Sequence, residues 1–139
     1  MRDELRVAAT IGNVRQVSGF VRDTAKRLRL PDDVLFDIDL AVEEASTNIV
    51  RHAYGADRAG DIYVRFEAAD DAVRITLTDW GLPYHADPTH LDADAPLEAR
   101  AEGGMGVLLV HRLMDSVTHQ TASAPGGPNV LTLVKRVEG

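Results

Sequence analysis

Two segments alternate strictly between apolar and polar residues: Asp61-Ile62-Tyr63-Val64-Arg65-Phe66-Glu67 and Val73-Arg74-Ile75-Thr76-Leu77-Thr78. A period of two marks a strand with one buried face and one wet face. The residues between them, Ala68 to Ala72 with Asp70-Asp71, read as a hairpin turn. The chain must therefore build a sheet that hides one face, and other elements must cover it.

The cover is found upstream. A short alternating strand, Leu5 to Ala9, breaks at Ile11-Gly12-Asn13, with Asn13 expected as the N-cap of a first helix. Val14, Val17, Val21 and Leu28 recur at helical spacing, and Arg15, Arg22, Lys26 and Arg29 form a basic stripe on another face. Pro31-Asp32-Asp33 starts a second helix, with core face Ile38, Val42, Ala45, Ile49 and Ala53 and a stop at Gly55. Beyond the hairpin, Asp79-Trp80-Gly81-Leu82-Pro83 ends a strand. A polar loop follows, His85 to Gly103, with five acids (Asp87, Asp92, Asp94, Glu98, Glu102) against Arg100. A loop of this length is usually functional or mobile. Gly104-Met105-Gly106 opens an apolar helix, Val107 to Met114; Ser116 to Thr121 alternates weakly, Ala124 to Pro128 turns, and Val130, Leu131 and Leu133 close the chain as a last strand.

The order β-α-α-β-β-loop-α-β-β implies an α+β two-layer sandwich: a mixed, mostly antiparallel sheet with helices on one face. The 139 residues read as a single domain, 1–139, without repeats or linkers. There is no run long enough for a membrane span and no apolar leader at the N-terminus. The absence of cysteine excludes disulfides and thiolate zinc sites, and fits a cytoplasmic location. A formal net charge of −7 argues against nucleic acid as a partner.

Three patterns carry chemistry. Glu44 and Asn48 lie four residues apart, roughly 40° around a helix, with Asp37 about 20° from Glu44. A potential base and a neutral oxygen ligand thus share one seam, as a hard metal carrying phosphate would require. Asp79-Trp80-Gly81 puts an acceptor carboxylate at a strand exit, with a glycine that lets a flat ligand approach the backbone. Gly103-Gly104-Met105-Gly106 exposes backbone N–H groups at a helix start, which suits phosphate. Singly, the three read more simply as a solvated helix flank, a turn and a hinge. No Lys-Ser or Lys-Thr follows the glycines, which excludes a P-loop. His85, Asp87 and His90 read as solvated loop residues, and Met105 and Met114 as packing residues.

In this order, Glu44-Ala45-Ser46-Thr47-Asn48 with His52, then Asp79-x-Gly81-x-Pro83, then Gly104-Met105-Gly106, resembles the nucleotide boxes of the GHKL ATPases. The short interval and the stretch Gly104 to Asp115 look like the bacterial anti-sigma factor serine/threonine-protein kinases. The resemblance spans nearly the whole chain and implies a Bergerat-type ATP-binding fold and ATP or ADP with Mg2+. Asn48 would be the magnesium ligand and Glu44 the catalytic base. Asp79 would read the adenine amino group above Gly81. His52, Arg100, Gly104, Met105, Gly106, Val107 and Asn129 would complete the nucleotide site, with the acidic loop as a lid. Pro128-Asn129-Val130 stands where the family carries Gly-Thr, so Asn129 replaces the usual threonine. The implied partners are a sigma factor and a STAS-type anti-anti-sigma protein, with a homodimer formed through the first strand. The alternatives are a non-catalytic nucleotide-dependent module that sequesters a partner, and a sensor ATPase domain of another pathway.

Overall fold

The computed structural model describes residues 1–55, 59–69, 71–83 and 105–137, with side chains in the last stretch from Leu108 onward. In chain order the elements are β1 (Arg2–Ala8), α1 (Ile11–Arg27), α2 (Asp32–Asn48), a π-wound segment (Ile49–Tyr54), β2 (Asp61–Ala68), β3 (Ala72–Asp79), α3 (Met105–Leu113), β4 (Ser116–Gln120) and β5 (Asn129–Arg136). The five strands form one sheet in the order β1-β2-β3-β5-β4. Every described pairing is antiparallel, as most of the sheet was expected to be. The physical reason is that both C-terminal strands join the sheet as a hairpin, with β5 inserted between β3 and β4.

The alternation that marked the hairpin sorts residues between the two faces. Register places Leu5 beside Val64, Val64 beside Leu77 and Leu77 beside Leu131; the next row runs Phe66, Ile75, Leu133, Val117. These rows, half-buried at Leu5 and Val117 and buried elsewhere, pack with Val17, Val21, Ile38, Val42, Ala45 and Ile49 of the helices in one core. The other face carries Arg2, Glu4, Arg6, Tyr63, Arg65, Glu67 and Arg74, with Arg2 to Glu4 at 2.8 Å and Arg6 to Asp61 at 2.9 Å. Such exposed pairs contribute little stability each. They keep this face wet.

Helix α2 packs against both α1 and α3, which makes it the central helix of the layer. The α1 N-cap is Thr10, whose hydroxyl accepts the Asn13 N–H at 3.2 Å. Asn13, expected to cap, instead donates its side-chain amide to the Ala8 carbonyl at 2.9 Å and ties the helix start to β1. One residue of the basic stripe on α1 is answered internally, Arg22 reaching Asp39 at 3.5 Å; Arg27, beside the stripe, reaches Asp3 at 2.9 Å.

Candidate functional site

Helix α2 carries the first half of the site. Its core stripe faces the sheet, which leaves Glu44 half-buried on its flank and Asn48 buried at 5% exposure one turn further on. Asp37, placed in the same seam by helical arithmetic, is held by an ion pair within the protein. Its carboxylate meets Lys135 Nζ at 2.9 Å, and the same ammonium donates to the Leu113 carbonyl at 2.7 Å. Asp37 therefore fastens α2 to β5 and to the end of α3.

Immediately after Asn48 the backbone widens from α to π winding, through Tyr54. Gly55 ends it with φ +67 and donates its N–H to the Val50 carbonyl at 2.9 Å, the i to i−5 bond of a π turn. The expected stop at Gly55 is therefore present, but the winding before it differs from the expected α-helix. His52 lies exposed on this segment.

The second half of the site lies where β3 leaves the sheet. Asp79 is on the core-facing side and 1% exposed, in register with Ile62 on one side and Asn129 on the other. Its Oδ1 accepts two hydrogen bonds, from the Gly81 N–H at 3.0 Å and from Asn129 Nδ2 at 2.9 Å. Burial pushes this carboxyl above its ordinary pKa; the bonds from Asn129 and Gly81, and the charge of His119, pull the other way. Asn129 is fully buried. It also donates to the Gly81 carbonyl at 3.0 Å and accepts the Ala122 N–H at 2.9 Å. Both its amide protons and one lone pair of its oxygen are engaged with the protein, so in this arrangement it holds Asp79 and Gly81 in place.

Gly81 is dictated by contact. A Cβ there would lie 2.3 Å from the Ala53 carbonyl oxygen, and that carbonyl accepts the Leu82 N–H at 2.7 Å. A cleft of about 420 Å³ adjoins this turn, lined by Trp80 to Pro83 and by Ala122 to Gly126. Neither Glu44 nor Asn48 lines it.

The structure thus links Glu44, Asn48, Asp79, Gly81 and Asn129 through one helix and the strand exit beside its end. Arg100, Gly104 and the proposed lid lie outside the described residues. Met105, Gly106 and Val107 fall in the first turn of α3, their side chains outside the description. Sequence reasoning missed Tyr54, whose hydroxyl accepts the Trp80 N–H, Gly60, which packs against its ring, and Ala122. A large aromatic just before a helix stop, and a glycine just before a strand, were the available signals for the first two; nothing marked Ala122.

Among the described residues no group of three or more His, Cys, Asp or Glu side chains is gathered to hold a metal. One carboxamide oxygen on Asn48 and a neighbouring carboxylate suit a cation that takes its remaining ligands from phosphate and water, which is the habit of Mg2+.

Residues 7–135 match the histidine kinase-like ATPase domain family. Among curated proteins, the chain is similar to the serine-protein kinase RsbW of Halalkalibacterium halodurans, 35% identical over 119 residues that cover 82% of this chain and 72% of that one. It is also similar to RsbW of Bacillus subtilis, 30% identical over 125 residues covering 86% and 78%. Among solved structures it resembles a Mycobacterium tuberculosis chain containing RsbU and RsbW domains, with a TM-score of 0.69 and 22% identity. That match covers 99% of this chain but only 32% of the other. The SiaB–SiaC complex of Pseudomonas aeruginosa gives a TM-score of 0.60 at 15% identity, covering 96% and 89%. At such identities the structural matches speak for the fold alone.

Proposed function

Because this chain belongs to the histidine kinase-like ATPase domain family, we propose that it is an anti-sigma regulatory factor that binds ATP and phosphorylates a STAS-type anti-anti-sigma protein on serine or threonine. The observation that carries the reading is the acceptor at Asp79. It is buried, braced by Asn129 and Gly81 through Oδ1, and joined through the π segment to the helix bearing Glu44 and Asn48.

In this reading Asp79 accepts a hydrogen bond from the adenine amino group, and Gly81 lets the ring lie close to the backbone. Asn48 holds magnesium, which when bound offsets phosphate charge. Glu44 accepts the proton of the attacking hydroxyl. Gly104, Met105, Gly106, Val107 and Arg100 surround the phosphates, and His52 lies at the edge of the site. Phosphoryl transfer needs mainly positioning and charge neutralisation, and α2 offers two such groups one turn apart on a rigid element. The relatives named serine-protein kinase support transfer to a protein hydroxyl. Sequestration of a sigma factor, and a cytoplasmic location, complete the proposal. No helix among the described residues is long and apolar enough to cross a membrane.

The test is incubation with Mg-ATP labelled at the γ-phosphate and the cognate antagonist. Label on a serine or threonine of the antagonist is expected. ATP binding without label on any antagonist would replace the kinase by a nucleotide-dependent sequestering module, and failure to bind ATP or ADP would end both.

A homodimer is part of the proposal. Strand β1 is at the end of the sheet order, so among the described residues no strand pairs with one of its backbone edges, and a second copy could do so across a two-fold axis. Sedimentation should give twice the 15.1 kDa chain mass. A monomer at high concentration would refute it.

A further inference from the structure

We infer that Tyr54 is the positioning residue for the base end of the nucleotide site, its hydroxyl pinning the Asp79–Gly81 turn to the end of the helix that carries Glu44 and Asn48. The inference rests on the nucleotide reading above and assigns a residue that lies outside the sequence motifs.

Tyr54 is the last residue of the π segment and 5% exposed. Its hydroxyl donates to the Asp61 carbonyl at 2.7 Å and accepts the Trp80 N–H at 2.9 Å. Only a neutral hydroxyl can do both. Burial raises its pKa, which keeps it neutral. A phenylalanine would leave the start of β2 and the exit of β3 each without this partner.

Three successive backbone N–H groups leave the sheet here, and each is answered from outside the ladder. Trp80 donates to Tyr54, Gly81 to Asp79 and Leu82 to the Ala53 carbonyl. Two of the three acceptors belong to the end of the π segment. Two glycines make room for it. A Cβ on Gly60 would stand 2.3 Å from the Tyr54 ring, and one on Gly81 would stand 2.3 Å from the Ala53 oxygen. The winding sets this fit. Rewinding the segment as α-helix would swing Tyr54 by about 100° around the axis and off the strand exit. The wide turn therefore converts the position of the phosphate-end residues on α2 into a fixed position for Asp79.

Calorimetry on the full chain with two Mg-nucleotides tests this. One is ATP; the other is purine riboside triphosphate, which lacks the exocyclic amino group. Tyr54→Phe should weaken ATP about tenfold and the amino-free analogue less than about twofold, so that discrimination between them collapses. Gly60→Ala keeps the hydroxyl but displaces the ring, and carries the same expectation if Tyr54→Phe melts below the assay temperature. Unchanged ATP affinity, or equal weakening of both nucleotides, would overturn the inference. Amide exchange separates this from failure of the nucleotide reading. In the free chain, Tyr54→Phe should speed exchange at Trp80 by about tenfold or more with β2 unchanged. Retained protection at Trp80 overturns the clamp whatever the nucleotide does, and a wild-type chain that binds no ATP overturns the base-end role with the function itself.

Discussion

Glu44→Gln should lower the rate of phosphoryl transfer to the antagonist by about 10²–10⁴-fold, the range general-base catalysis supplies, while the dissociation constant for ATP changes little. Glutamine keeps the length and shape of the side chain and is a comparable helix former. Glu44 is half-buried on the flank of α2, away from the apolar stripe, so the substitution should leave stability within about 0.5 kcal/mol. What it removes is the proposed capacity to take a proton from the attacking hydroxyl. Because Asn48 sits one turn along the same helix, the oxygen proposed to hold magnesium is untouched. Single-turnover labelling with saturating ATP, alongside calorimetry, separates the two effects. Labelling at the wild-type rate would remove Glu44 from the chemistry. A loss of ATP affinity as large as the loss of rate would reassign it to binding.

What the sequence made legible follows from where burial is one-sided. The β2–β3 hairpin and the apolar seam of α2 were readable because a single face of each meets the core, and Ile38, Val42, Ala45, Ile49 and Ala53 are all within 2% of full burial. The strands run past their alternating cores, to Arg2 in β1 and Arg136 in β5, because ladder pairing with a neighbour carries them on. The placement of β5 between β3 and β4 was not readable, since it depends on pairing between residues far apart in the chain. The same holds for the site. Asp79 and Gly81 announced themselves as a turn beside a strand, but the brace on them comes from Asn129 and Tyr54, which only the fold brings near. Asp37 shows the reverse case: its position on α2 put it with Glu44, and Lys135 from the last strand takes it away. The π winding had no local signal at all, because Ala45, Ile49 and Ala53 fit an α stripe equally well. Its close fit against Gly60 and Gly81 is visible only once the strands are in place.

Asp79→Asn should make the chain more stable and bind ATP far less well. The substituted carboxamide places an oxygen where Oδ1 stands, so the bonds from Gly81 and Asn129 survive, and it replaces a buried charge by a neutral group. The folded carboxyl holds its proton to higher pH than the unfolded one, chiefly because of burial. The folded state therefore binds more protons between those two pKa values. Wild-type stability falls as pH rises from the ordinary carboxylate range through the raised folded value, and is level above it. The carboxamide of the variant does not titrate and escapes that fall. Thermal melts should show the variant ahead by about 1 kcal/mol, or roughly 3–5 °C, at pH 7, with the gap closing as pH drops below both pKa values. Binding moves the other way. The NH2 group would stand at the position of Oδ2, which in the proposed reading accepts from the base, and would face its amino group donor to donor. ATP affinity should fall by about 10²-fold or more, as when a polar partner in a buried site is left unpaired. A variant less stable than wild type at pH 7 would contradict the burial argument, and unchanged ATP affinity would show that Asp79 does not read the base. Both outcomes together are the signature of a residue kept for its ligand against its own fold.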